Sequence, residues 1–130
     1  MTAALSPEAV MACAILTARR ANESVRIENV SSLFAKLRQE KIDEVGKVAL
    51  RRLPHGVYSE DVEAFFGRLL AGGFAKARSP LNVNDDGARL CQELIEEEIQ
   101  SHPGELRKVA RVLGFDLEGI MSPIQQSQPA

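Results

Sequence analysis

The sequence predicts a mainly α fold with one short two-stranded hairpin at about residues 74–84 and additional helices at both ends. Three observations predict it. Between Tyr58 and Gln100 the residues read as helix, hairpin, helix. Apolar stripes at helical spacing recur along the chain, whereas polar–apolar alternation is confined to one short stretch. Most of the helices begin at a cap residue or a proline, and several stop at glycine, as helix ends require.

The central stretch is the most specific. Ser59 is a good N-cap, and Glu60, Asp61 and Glu63 follow where the helix dipole favours acid. Val62, Phe65, Phe66, Leu69 and Leu70 form one apolar stripe, and Gly72-Gly73 stops the helix without steric cost. Phe74 to Arg78 and Leu81 to Asn84 then read as two extended pieces around Ser79-Pro80, and Asn84 caps a second amphipathic helix.

A chain of 130 residues suits one domain, assigned to residues 1–121, with residues 122–130 as a disordered tail rich in Gln, Ser and Pro. Ser6-Pro7-Glu8 opens a helix to about Ala21 whose residues from Val10 to Ala18 leave almost no polar side. That helix is either central to the core or half buried in a dimer. Ser24 to Glu28 alternates enough to allow a short strand, and Ser31 or Asn29 can cap a helix to about Glu40 carrying Leu33, Phe34 and Leu37. Ile42, Val45, Ala49 and Leu53 continue at helical spacing until Pro54 and the His55-Gly56 turn. The helix from Asp85 carries Leu90, Cys91, Leu94, Ile95 and Ile99 inside and Glu93, Glu96, Glu97 and Glu98 on a solvated face. Pro103 opens the last helix, which carries Leu106, Val109, Ala110 and Leu113 inside and ends at Gly114.

A hydrophobic share of 45% with 26% charged residues is ordinary for a soluble globular protein. The longest predominantly apolar uncharged run, Ala9 to Ala18, is too short to span a bilayer and has its positive charges after it, unlike a signal peptide. Cys13 and Cys91 read as reduced core thiols, so a cytoplasmic setting without membrane attachment is expected. The net charge of −2 is unevenly spread: residues 19–52 hold nine basic and five acidic side chains, and residues 85–105 hold seven acids and only Arg89. Such a chain places a basic face on one side while staying acidic overall.

No chemistry is signalled. Gly72-Gly73 lacks the strand–loop–helix setting of a phosphate loop, and His55 and His102 stand at metal spacing from no other ligand. The cysteines lie on apolar stripes, where a thiol is inert. A non-enzymatic protein with no cofactor and no metal is expected.

The segment from about Ile42 to Glu98 resembles the winged-helix domain common in bacterial transcription regulators. The resemblance lies in a helix over Ile42 to Leu53, a turn over Pro54 to Tyr58, and the capped helix with Val62, Phe65, Phe66, Leu69 and Leu70. It extends through Ala71-Gly72-Gly73-Phe74 into a hairpin and through Leu81 to Gly87 into the next helix. The alternative is an all-helical bundle in which Phe74 to Val83 is only a loop. The resemblance implies that residues 59–71 are a recognition helix and the hairpin a wing. Here the chain departs from the family: a helix entering the major groove should present Arg, Lys, Asn, Gln or Ser, and this one presents Glu60, Asp61 and Glu63 with Arg68 its sole cation. Carboxylates near phosphates weaken the counterion-release contribution to affinity. The remaining nucleic-acid candidates are Arg51 and Arg52, the Lys36, Arg38 and Lys41 group, and Lys76 and Arg78, which would share one face of a wing strand. Two functions follow: a regulator or nucleic-acid-associated protein on double-stranded DNA, homodimeric through its first and terminal helices, or a protein-interaction module or adaptor subunit with a degenerate winged helix that leaves DNA alone.

Overall fold

A computed structural model describes residues 4–77 and 79–124. Its element order is α1 (Pro7–Arg20), α2 (Ile27–Gln39), β1 (Arg51–Leu53), β2 (Gly56–Tyr58), α3 (Glu60–Ala71), α4 (Asp85–Ser101), α5 (Pro103–Leu113) and α6 (Leu117–Ile120). The fold is thus mainly α with a two-stranded antiparallel hairpin and helices added at both ends. The hairpin, however, lies before α3 instead of after it.

α1 opens at Pro7 and Glu8, and Ala9 through Leu16 are all buried within this one chain, chiefly against α4 and α6. Of the two readings of this helix, the core one holds. The covering that a second copy would have supplied comes from the chain itself. Thr17 Oγ1 donates to the Cys13 carbonyl at 2.7 Å, which hides the one hydroxyl on the inner half of the helix.

α2 begins at Ile27, ahead of the expected caps. Ile27, Val30, Phe34 and Leu37 are buried at spacings of three and four, and that stripe extends the helix backward, while Asn29 Oδ1 accepts the Arg26 N–H. Ser31 therefore sits inside the helix. Its Oγ donates to the Ile27 carbonyl at 2.7 Å and accepts the Ser59 N–H at 2.9 Å, and both serines are fully buried. Ser31→Ala leaves a buried N–H without an acceptor, so it should cost about 1–3 kcal/mol in a urea unfolding titration.

The helix expected over Ile42 to Leu53 does not form. Leu5 N–H donates to the Glu44 carbonyl at 2.7 Å and Gly46 N–H donates to the Leu5 carbonyl at 2.8 Å, so these backbone groups serve a parallel bridge between Leu5 and Val45. The buried residue is Val48, not Ala49, which is exposed. From Arg51 the chain enters the hairpin, with Arg51 opposite Tyr58, Arg52 opposite Val57 and Leu53 opposite Gly56. Gly56 takes φ +144°, a conformation that glycine adopts freely.

The ladder expected at 74–84 is reduced to one pair. After Gly73 the chain folds back so that Ala75 bridges Val83 antiparallel and Asn84 N–H donates to the Phe74 carbonyl at 2.9 Å. Pro80 has no N–H with which to extend the pairing. On its other side this return segment pairs with Val25: the Val25 and Leu81 N–H groups each donate to the other's carbonyl, at 3.0 and 2.7 Å. Three short extended pieces thus lie side by side, with residues 81–83 in the middle. The strand that the alternation at Ser24 to Glu28 allows contracts to the single residue Val25.

α4 starts where Asn84 Oδ1 accepts the Gly87 N–H at 2.8 Å, while Asn84 Nδ2 donates to the Gly73 carbonyl at 2.7 Å. Gly87, Ala88, Cys91 and Ile95 form its buried stripe. Glu93, Glu96 and Glu97 are exposed, but Glu98 turns inward, accepting the Ser6 N–H at 3.1 Å and meeting His102 Nδ1 at 2.5 Å. α5 buries Leu106, Val109 and Ala110 and ends at Gly114 with φ +77°. Of the expected tail, residues 125–130 lie outside the described residues. Ser122 Oγ donates to the Glu118 carbonyl, Gln92 Nε2 donates to the Ser122 carbonyl, and Ile124 packs against the core.

Candidate nucleic-acid interface

α3 is positioned by its inward face. Val62, Phe65, Phe66 and Leu69 are buried, and the buried Ser59 caps the helix by accepting the Val62 N–H at 3.4 Å. The outward face opens with the three acids that set this helix apart from a base-reading one. Each is engaged by the chain immediately before it. Glu60 pairs with Arg51 at 3.7 Å, Asp61 Oδ2 accepts the Ala49 N–H at 2.8 Å, and Glu63 accepts the Tyr58 hydroxyl. The Arg51 guanidinium also lies 5.3 Å from the centroid of the Tyr58 ring, a cation–π distance. The first turn of α3 therefore grips the hairpin and its approach, which sequence reasoning missed. A signal was present, because Pro54-His55-Gly56 stands between Arg51-Arg52-Leu53 and Val57-Tyr58, turn residues between strand formers.

The sequence-derived cations fall into distinct settings. Lys36 is exposed on α2, and Lys41 is exposed just past its end at φ +56°. Arg38, from the same group, is spent on structure: its Nη2 donates to the Val48 carbonyl at 2.7 Å and closes the 42–50 segment onto α2. Arg51 and Arg52 project to opposite faces of β1 instead of lying on a helix. Arg52 is exposed and, among the described residues, has no hydrogen-bond or ion-pair partner. Arg68, on the last turn of α3, lies 5.8 Å over the Phe65 ring. Lys76 is exposed next to the Ala75–Val83 bridge, and Arg78 lies outside the described residues. The structure thus places Arg51 and Arg52 at one end of α3 and Lys76 past the other.

Elsewhere the chemistry is quiet. Burial pushes both the Cys13 and Cys91 thiols up to about 12, which keeps them protonated and poor nucleophiles. The Lys108 ammonium, 2.7 Å from Glu44, holds that carboxyl below its ordinary range. Asp116 is lowered too, first by the Gly119 N–H and then by Arg20. Open hollows among the described residues include one of about 510 Å³ lined by Phe34, Leu37, Ile42, Val45 and Val48, and one of about 350 Å³ lined by Arg19, Arg20, Gln92 and Ile120. Among the described residues no three His, Cys, Asp or Glu side chains are placed to hold a metal ion, and no helix is long and apolar enough to cross a membrane. Comparison with protein-family models, with curated proteins and with solved structures returns no match for this chain.

Proposed function

We propose that this chain is a non-enzymatic winged-helix protein that binds double-stranded DNA in the manner of a transcription regulator. The observation that carries the reading is the order of parts around α3. Helix α1, the extended residue Val25, helix α2, helix α3 and the paired pieces at Ala75 and Leu81–Val83 follow one another, with the last piece central among the three. On this reading α2 and α3 are the helix pair, residues 74–84 are a minimal wing bearing Lys76, and the 40–58 segment is an insertion between the two helices. Of the acids on α3, Glu60 weighs less against DNA than its sequence position suggested, because it is paired with the Arg51 cation, whereas Asp61 and Glu63 are held by a neutral N–H and a neutral hydroxyl. Two buried free cysteines fit a cytoplasmic setting.

Binding to random-sequence duplex across a salt series tests the proposal. The affinity should fall steeply with salt, and Lys76→Gln should reduce the slope of log K against log salt by about one. Absence of binding at low ionic strength overturns it. The second reading, a protein-interaction module, is favoured by one observation: Leu70, 39% exposed, stands on the outward side of α3 beside the exposed Ala71. Under that reading Leu70→Ala leaves duplex binding absent and abolishes capture of a protein partner.

A further inference from the structure

We infer that the 51–58 hairpin is a prong that delivers Arg52 to a nucleic-acid phosphate, and that Asp61 and Glu63 are positioning residues that hold the prong in place. This rests on the DNA-binding reading above and assigns the contact to the insertion instead of to the side chains of α3.

The hairpin does little for the core. Arg51 and Arg52 are exposed, and Leu53, Val57 and Tyr58 are only half buried. Two strands of three residues are not stable alone in water, so the shape of the prong depends on what grips it. The grip comes from β2 lying along α2, from the buried Ser59 N–H on Ser31, and from the α3 carboxylates on Ala49 N–H and on the Tyr58 hydroxyl. Within this frame the two arginines have different work. Arg51 is held between the Tyr58 ring and Glu60. Arg52, one residue on, points to the other face and is left for an external anion.

A phosphodiester suits that anion, because the planar guanidinium donates two parallel N–H bonds to phosphate oxygens. Arg52 precedes α3 and Lys76 follows it in the chain, so on this inference each flank of the helix holds phosphate while the helix, poor in base-reading donors, lies between.

Asp61 gives the decisive test, because two simple accounts predict opposite signs. If the carboxylate merely repels phosphate, Asp61→Ala should tighten duplex binding. If it anchors the prong, the same change should weaken binding roughly three- to tenfold even though a negative charge has been removed. Wild type, Arg52→Gln, Asp61→Ala, Asp61→Ala/Arg52→Gln and Lys76→Gln are measured on random duplex across salt, with circular dichroism melts to verify folding. Arg52→Gln should lower the slope by about one, and the double variant should bind no more weakly than Asp61→Ala alone. Should Asp61→Ala not fold, Glu63→Ala removes the carboxylate that accepts the Tyr58 hydroxyl and should weaken binding in the same way. Tighter binding by Asp61→Ala overturns the inference. Unchanged binding by Arg52→Gln while Lys76→Gln weakens it overturns the inference and leaves the winged-helix reading standing. A wild type that fails to bind overturns both.

Discussion

Phe66→Ala should lower the unfolding free energy by about 3–5 kcal/mol, the range for truncating a fully buried phenylalanine. Phe66 is the largest of the fully buried side chains, and it lies in the middle of α3, between a turn that grips the hairpin and an end that feeds the 74–84 fold-back. Its removal takes away apolar transfer energy and leaves a void that helices held by other contacts cannot fully close. Against a total of about 5–15 kcal/mol for an ordinary domain, roughly a fifth or more of the stability goes. A thermal melt should show a drop of roughly 10 to 20 °C. A loss under 1 kcal/mol would show that α3 is not packed as described.

Gly87→Ala should destabilise by about 2–3 kcal/mol, although glycine to alanine inside a helix ordinarily stabilises by roughly 0.5–1 kcal/mol. The sign is decided by close approach. A Cβ at Gly87 would stand 2.5 Å from the Phe74 carbonyl oxygen and 2.8 Å from Val83 Cβ. The first of these is backbone, and that carbonyl already accepts the Asn84 N–H, so no flexible side-chain end can swing away. Either α4 retreats or the fold-back opens, and the Asn84 N–H bond to the Phe74 carbonyl is weakened in both cases. The wild-type and variant midpoints in urea, with the slope unchanged, give the difference.

Several elements could be read from residues alone. α1, α3, α4 and α5 each pair an end signal with an apolar stripe, and both signals are local. The Ser59 and Asn84 caps and the Gly114 stop occur where the side-chain pattern places them. The 42–53 segment misled because Ile42, Val45, Ala49 and Leu53 imitate a helical stripe, while its real partner, Leu5, lies some forty residues earlier in the chain. No window of sequence shows such a pairing. The acids of α3 misled differently. Their positions suit the helix dipole whether or not anything else binds them, so the Ala49 N–H and the Tyr58 hydroxyl left no mark that could be read in advance. Of the candidate site, Lys76 and Arg52 could be named from charge and exposure, whereas the structural use of Arg38 required knowing where Val48 goes.

The pairing of Val25 with Leu81 also bears on how the molecule assembles. Closing a loop of more than fifty residues costs chain entropy before its two hydrogen bonds return anything, whereas each helix gathers contacts from its own neighbourhood. Docking α1 on α4 closes a longer loop still, but a large apolar face rewards it, so it comes first and the two bonds form once it has brought their segments close. The small fold-back beside them gains its central support only at that closing step, so the chain acquires its stable body first and its outward-facing surface last.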